Sequence, residues 1–178
     1  NAEITFVGAG TISDVSNAFT AGRFPNLMLW LDANATTTLD KGAGSGVEGM
    51  PVDNDGVGYW GDRSGNGHFA NTYEKAPERE PGYLATGFNG KPTLEFDGAD
   101  DVLLVDNSKT TFDEWEKLSF FMVIEGMTFD DNDAILSKNG DGGQGWVFGK
   151  ENSNKVRTVL RGTSATDSKS ADYAPVAM

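Results

Sequence analysis

Cysteine is absent from this chain of 178 residues, so disulfide bonds, thiolate metal sites and a cysteine nucleophile are all excluded. Proline is scarce as well, with 6 residues against 23 glycines, and this balance is typical of a fold with frequent turns. No apolar run reaches the ~20 residues that a membrane-spanning helix needs, so we expect no membrane insertion.

Basic residues are also scarce in the composition. Lys and Arg number 14 against 27 Asp and Glu, which gives a formal net charge of -13. A chain this acidic repels a phosphate backbone, so nucleic acid is excluded as a partner. The charge fits either a solvated surface or calcium binding, because a hard cation prefers carboxylate oxygens. The chain begins at Asn1 rather than Met, which predicts a removed leader or a segment cut from a longer protein.

Short apolar stretches separated by turn-forming residues recur along the chain, and this pattern predicts the strands of a sandwich or barrel. One helical turn is expected over 112–117, and no 3.6-residue periodicity supports a longer helix. Residues 34–58 and 71–82 are expected to be loops, and the polar stretch 162–178 is expected to lack a strand. The strongest strand prediction is 118–125, and the others are 3–7, 27–31, 92–96, 102–105, 134–137, 145–149 and 155–160, while residues 59–60 form a short apolar island.

Several stretches, in their order and spacing, resemble the concanavalin A-like (laminin-G-like) domains of bacterial secreted and surface proteins. The first three are 29–33 (LWLDA), 60–67 (WGDRSGNG) and 89–101 (NGKPTLEFDGADD). The resemblance continues through the apolar stretch 118–125, then 135–140 (ILSKNG) and 145–146 (GW), so it covers roughly residues 27–162.

The resemblance implies an all-β, concanavalin A-like antiparallel sandwich, or jelly roll, at the cell surface or outside the cell. It divides the chain into an N-terminal strand and wrapping segment (1–26), the sandwich (27–162) and a polar tail or start of further strands (163–178). Members of the family bind glycans or surface proteins, or space other domains. Such domains continue past residue 162 with strands that are not found here. We therefore expect a sandwich that is incomplete at its C-terminus, either because the chain is a fragment that lacks the last strands or because a neighbouring chain or segment supplies them.

The segment 96–101 (FDGADD) allows two interpretations. In the structural one, which is favoured, Phe96 ends a strand facing the core, Gly98 permits a turn and Asp97 accepts backbone N–H groups. In the functional one, Asp97, Asp100 and Asp101 supply oxygen ligands to a calcium ion that relieves their mutual repulsion. The acidic segment 53–56 looks like a calcium loop but is interpreted as a plain turn, since no Glu completes an EF-hand and no helices flank it. The segment 130–133 is interpreted in the same way, as a solvated hairpin loop between two strands.

Aromatic and polar residues suited to a sugar form a second group. A sugar ring stacks on an aromatic face while Asp, Asn and Arg bind its hydroxyls, and the candidate ligand-binding residues are Trp60, Asp62, Arg63, Asn66 and Trp146. The alternative is that these residues form a packed turn and that most tryptophans belong to the core. The single histidine, His68, is interpreted as a turn or surface residue rather than a catalyst.

Hydrolase chemistry finds little support in the sequence. The Glu-x-Asp-x-x-Glu strand motif of glucanases on this fold is not present, because residue 100 is Asp and Gly98 ends the strand. Two retaining-glycosidase carboxylates are therefore not expected. The leading hypothesis is a non-catalytic extracellular binding or adhesion module that recognises a glycan and is stabilised by calcium. The second is a structural domain of a surface filament or fibre, and the third is an inactive or partial glycan-processing enzyme.

Overall fold

A computed structural model describes residues 24–42, 49–72, 76–105, 119–125, 134–139, 145–151, 155–161 and 169–173. These residues form antiparallel β-strands and short 3-10 helices, and no α-helix occurs among them. The prediction of an all-β chain is therefore confirmed for the described part. The predictions over 3–7, 112–117 and 130–133 lie outside it.

The strands belong to three sheets. Their bounds are β1 (Leu39–Asp40), β2 (Tyr59–Gly61), β3 (Phe69–Thr72), β4 (Gly82–Leu84), β5 (Thr93–Glu95), β6 (Leu103–Val105), β7 (Ala134–Asn139), β8 (Gly145–Glu151), β9 (Lys155–Arg161) and β10 (Lys169–Tyr173). The first sheet has the order β1-β2-β3-β6, the second β10-β9-β8-β7, and β4 pairs with β5 alone. The 3-10 helices are Thr36–Thr38, Pro77–Arg79 and Phe88–Gly90.

The described residues divide into two units. One holds the first sheet and the β4–β5 pair and extends to Phe121, and the other begins at Met122 and holds the sheet of β7 to β10. Within the second unit, β8 lies between β7 and β9, and the β7–β8 register shifts between Ala134 and Leu136. The sheets have two to four strands each, so the jelly-roll arrangement stays a prediction.

The core of the first unit forms where one face of the first sheet is covered. Leu39 in β1 pairs with Trp60 in β2, which pairs with Ala70 in β3, and cross-strand partners share a face. Leu39, Val57 and Tyr83 are buried together, and Trp60 packs against them. The opposite face carries the next row of the register, in which Tyr59 pairs with both Asp40 and Asn71.

The prediction of a loop over 34–58 is wrong in part. The segment contains β1, and it contributes Val57, which is fully buried. The backbone N–H of Val57 donates to the Pro81 carbonyl at 2.9 Å, and Gly58 donates to Asp40 at 3.0 Å. Ladder-like hydrogen bonds therefore hold a glycine-rich segment whose composition alone does not indicate strands. The prediction over 71–82 fails similarly, since β3 and β4 reach into it and Thr72 and Pro81 are buried.

Three further strand predictions are wrong. Residues 27–31 are partly buried but form no strand, and the Trp30 N–H donates to the Asp62 side chain at 2.8 Å. Residues 119–125 form no strand either, and Phe121 to Ile124 are exposed. The polar stretch 162–178, expected to lack a strand, contains β10, which pairs with β9 through five residues. Backbone pairing rather than apolar side chains defines that strand.

Candidate functional site

The turn 62–66 is built around the carboxylate of Asp62. Its Oδ1 accepts the backbone N–H of Trp30 at 2.8 Å and of Ser64 at 2.7 Å. Its Oδ2 accepts the Ser64 hydroxyl at 2.5 Å. The Asp62 N–H in turn donates to the His68 carbonyl at 3.2 Å. Both carboxylate oxygens are therefore engaged within the protein, so the geometry assigns Asp62 a structural role.

Asn66 has a similar internal role. Its Nδ2 donates to the Leu27 carbonyl at 2.8 Å and to the Met28 carbonyl at 3.0 Å. These bonds join the turn to residues that lie 39 and 38 positions earlier in the sequence. The side-chain amide of Asn66 is thus occupied in fastening segment 27–30 to the turn.

Arg63, like Asn66, is an exposed member of the predicted group. Its guanidinium forms an ion pair with Asp32, and its Cζ lies 4.2 Å from the centroid of the Trp30 ring. Cation–π stacking and the ion pair fix the plane of the guanidinium. The Arg63 side chain remains 37% exposed, so donors at its edge face water.

The structure therefore brings Asp62, Arg63 and Asn66 together in one turn. Trp60 lies on the core face of β2 and packs against the buried cluster, which confirms the interpretation of this tryptophan as a core residue. Trp146 lies in β8, in the second unit. His68 lies outside the strands, directly before β3, and is only 5% exposed, so the interpretation as a surface residue is wrong for this side chain.

The segment 96–101 forms the expected turn. Asp97 Oδ1 accepts the backbone N–H of Ala99 at 2.8 Å and of Asp100 at 3.3 Å, and Asp101 Oδ2 accepts the Asp97 N–H at 2.8 Å. Gly98 has a φ of 77°, a conformation that glycine adopts without strain. The prediction that Phe96 faces the core is wrong, since β5 ends at Glu95 and Phe96 is 49% exposed.

The three carboxylates of this turn converge. One oxygen each from Asp97, Asp100 and Asp101 lies within 4.8 Å of the others. The hydrogen bond from the Ala99 N–H lowers the pKa of Asp97, because it favours the charged form. Partial burial raises the pKa of Asp101, and the charges of Asp97 and Asp100 add to that effect. The geometry can supply several hard oxygen ligands from one side.

The acidic turn 53–56 behaves as predicted. Asp53 Oδ1 accepts the Ala85 N–H at 2.8 Å, and Asp55 Oδ2 accepts the Val52 N–H at 2.8 Å. Lys41 Nζ lies 3.5 Å from Asp55 Oδ2. Asp53 thus joins the turn to Ala85, which directly follows β4, while Asp55 closes the turn and pairs with Lys41.

Sequence reasoning missed one feature, a cleft of about 170 Å³ beside β1 and β2. Its lining includes Thr37, Thr38, Asp40, Met50 and Tyr59. Strand β1 has only two residues, which is too short for an alternating pattern to reveal it. The pairing of Asp40 with Tyr59, which places both on one face, needs the fold.

Comparisons with known proteins do not extend this description. No protein-family model, no curated protein and no solved structure matches the chain. Among the described residues, no helix is long and apolar enough to span a membrane. The features of the chain that bear on its function are therefore the fold, the two groups of polar side chains and the cleft.

Proposed function

We propose that this chain is a non-catalytic extracellular binding module that recognises glycans, with a concanavalin A-like sandwich stabilised by calcium at Asp97, Asp100 and Asp101. The observation that carries the proposal is the convergence of these three carboxylates within 4.8 Å at an exposed turn. Glycan recognition rests on the resemblance of the sequence to a family in which many members bind sugars.

Calcium is the cation that suits this turn. It takes six to eight oxygen ligands at about 2.3–2.6 Å and tolerates irregular geometry, so carboxylates on one side and water on the other satisfy it. Asp97 and Asp100 are exposed, which leaves room for such water. Partial burial and neighbouring charge already disfavour the ionised form of Asp101, and a bound cation would remove that penalty.

A glycan array probed with and without calcium tests the function. We expect binding to neutral glycans in calcium and weaker binding in chelator. The Asp100 side chain accepts no hydrogen bond from the described residues, so Asp100→Asn removes a ligand without disturbing the turn. Glu78→Gln is the matched control, because Glu78 is an exposed acid outside the cluster. An array without any hit for the wild type would overturn glycan recognition.

One observation favours a second function, that of an assembly domain whose sandwich is completed by a neighbour. Residues 121–124 are apolar and exposed, with Val123 at 82% and Phe121 at 60%. Contiguous exposed apolar residues of high β-propensity favour pairing with another chain. Light scattering at increasing concentration tests this function, and a monomer at every concentration would exclude self-assembly.

A further inference from the structure

The cleft beside β1 and β2 is lined by the carboxylate of a buried residue, Asp40. Asp40 is only 3% exposed, and its Oδ1 accepts the Gly42 N–H at 3.2 Å. Within the part of the chain that the structure describes, no group donates to Oδ2. Oδ2 is not one of the described side-chain atoms that are sealed from solvent without a partner. Because Asp40 lines the cleft, a ligand hydroxyl in the cleft can donate to its carboxylate.

An aromatic ring lies next to this carboxylate. Tyr59 pairs with Asp40 across β1 and β2, so both side chains lie on the same face. The Tyr59 ring is stacked on Phe69, with centroids 5.3 Å apart and planes at 26°. A Cβ at Gly61 would meet Tyr59 Cε1 at 3.3 Å and the Thr38 carbonyl oxygen at 3.3 Å. The absence of a side chain at Gly61 therefore leaves the ring room to lie along the strand.

The rim of the cleft is of mixed character. Thr37 supplies an exposed polar side chain, and Met50 is 57% exposed and apolar. A ligand that fits this lining needs an apolar face for Tyr59 and Met50 and hydroxyl groups for Asp40. A pyranose ring has both, since its axial hydrogens form an apolar patch and its hydroxyls lie at the edge.

Size and charge narrow the ligand class further. The cleft of about 170 Å³ is smaller than the roughly 300–1,000 Å³ of pockets that enclose a drug-sized molecule, so it accommodates a single ring or a chain end. The net charge of -13 disfavours sugar acids and sulfated sugars. A single carboxylate is also too few ligands for calcium.

We propose that this cleft holds one neutral pyranose unit, with adjacent hydroxyls donating to Asp40 and the ring packed against Tyr59. The proposal rests on the proposed glycan recognition and deepens it by locating the sugar. It also moves the sugar site away from the turn 62–66, where Asp62 and Asn66 are engaged internally.

The test is a titration of the full chain with the methyl glycosides of glucose, galactose, mannose and N-acetylglucosamine. Binding is monitored through the NMR chemical shifts of the backbone amides. We expect saturable shifts at Gly42 and Tyr59 for at least one sugar. Asp40→Asn keeps the shape and the Gly42 contact but removes the anionic acceptor, so the dissociation constant should rise about tenfold or more. Thr37→Trp should block the cleft and abolish binding.

Two controls keep the outcomes separable. Val52→Trp places the same bulk at a 65% exposed residue that does not line the cleft, and it should bind as the wild type does. If Asp40→Asn does not fold, the comparison of sugar binding by Thr37→Trp and by Val52→Trp tests the cleft on its own. Wild-type affinity in Asp40→Asn and Thr37→Trp would overturn the cleft while leaving glycan recognition intact. No sugar binding by the wild type, on the glycosides and on the glycan array, would overturn both.

Discussion

The carboxylate of Asp62 accepts the backbone N–H of Trp30 at 2.8 Å, although 32 positions separate the two residues. The same oxygen also accepts the Ser64 N–H, so one side chain shapes a turn and fastens a distant segment to it. Asp62→Ala would leave these donors without a partner. We expect the free energy of unfolding in urea to fall by about 1.5–3 kcal/mol, as for bonds to a charged group.

The control for Asp62 is Glu78→Ala, which removes an exposed carboxylate from a 3-10 helix. It should change the free energy of unfolding by less than about 0.5 kcal/mol. Equal effects of Asp62→Ala and Glu78→Ala would contradict the structural role of Asp62.

Asn66 gives a second test of the same junction. Its Nδ2 donates to the carbonyls of Leu27 and Met28. Asn66→Ala removes these bonds at an exposed residue and should cost about 1 kcal/mol in urea unfolding. Asn66→Asp should cost more, because it places a carboxylate against two carbonyl oxygens. The reverse order of the two variants would show that the amide does not act as a donor.

The turn 97–101 predicts that the stability of the folded chain depends on pH when a chelator has removed calcium. Burial raises the pKa of Asp101 above 3.8, so the folded chain takes up this proton before the unfolded chain does as the pH falls. Its contribution to stability therefore increases as the pH decreases through the raised pKa. The pKa of Asp97 is lowered from 3.8, and its contribution is lost as the pH falls below 3.8 towards that lowered pKa.

Thermal melts of the wild type and of Asp101→Asn isolate the contribution of Asp101 to stability. Asparagine keeps an oxygen for the Asp97 N–H but does not titrate. We expect Asp101→Asn to be the more stable of the two at neutral pH, with the difference shrinking as the pH approaches 3.8. A difference that does not vary with pH would show that the ionised form of Asp101 carries no penalty.

The exposed apolar segment 121–124 predicts concentration-dependent association. Val123 is 82% exposed, so Val123→Glu should leave the free energy of unfolding within about 0.5 kcal/mol of the wild type. It should lower the associated fraction in light scattering, because a buried charge disfavours strand pairing. Val52→Glu, at a 65% exposed residue in the first unit, is the matched control and should associate as the wild type does.

The sequence predicts strands best where an apolar run also forms backbone hydrogen bonds with a partner strand in the fold. Strands β7, β8 and β9 match their predictions closely. The stretch 118–125 has the strongest local pattern, yet no strand forms over 119–125. Local propensity indicates that a segment suits a sheet, but only the fold decides whether a partner strand is present.

The candidate sites are likewise predictable from the sequence only where local residues determine them. The turn 97–101 is predictable because Gly and Asp at fixed spacing encode it locally. The internal role of Asp62 is not, because its partner Trp30 is distant in sequence. The cleft at Asp40 depends on a two-residue strand and its register with β2, and no periodic pattern marks so short an element.

A thermal melt with calcium and with chelator tests the central claim most directly. Calcium at about 100 times its dissociation constant should stabilise the folded wild type by about 2.7 kcal/mol, which raises the midpoint by about 5–10 °C. Asp100→Asn should lose most of this increase, and Glu78→Gln should retain it. A midpoint of the wild type that is the same in calcium and in chelator would contradict the calcium site at Asp97, Asp100 and Asp101.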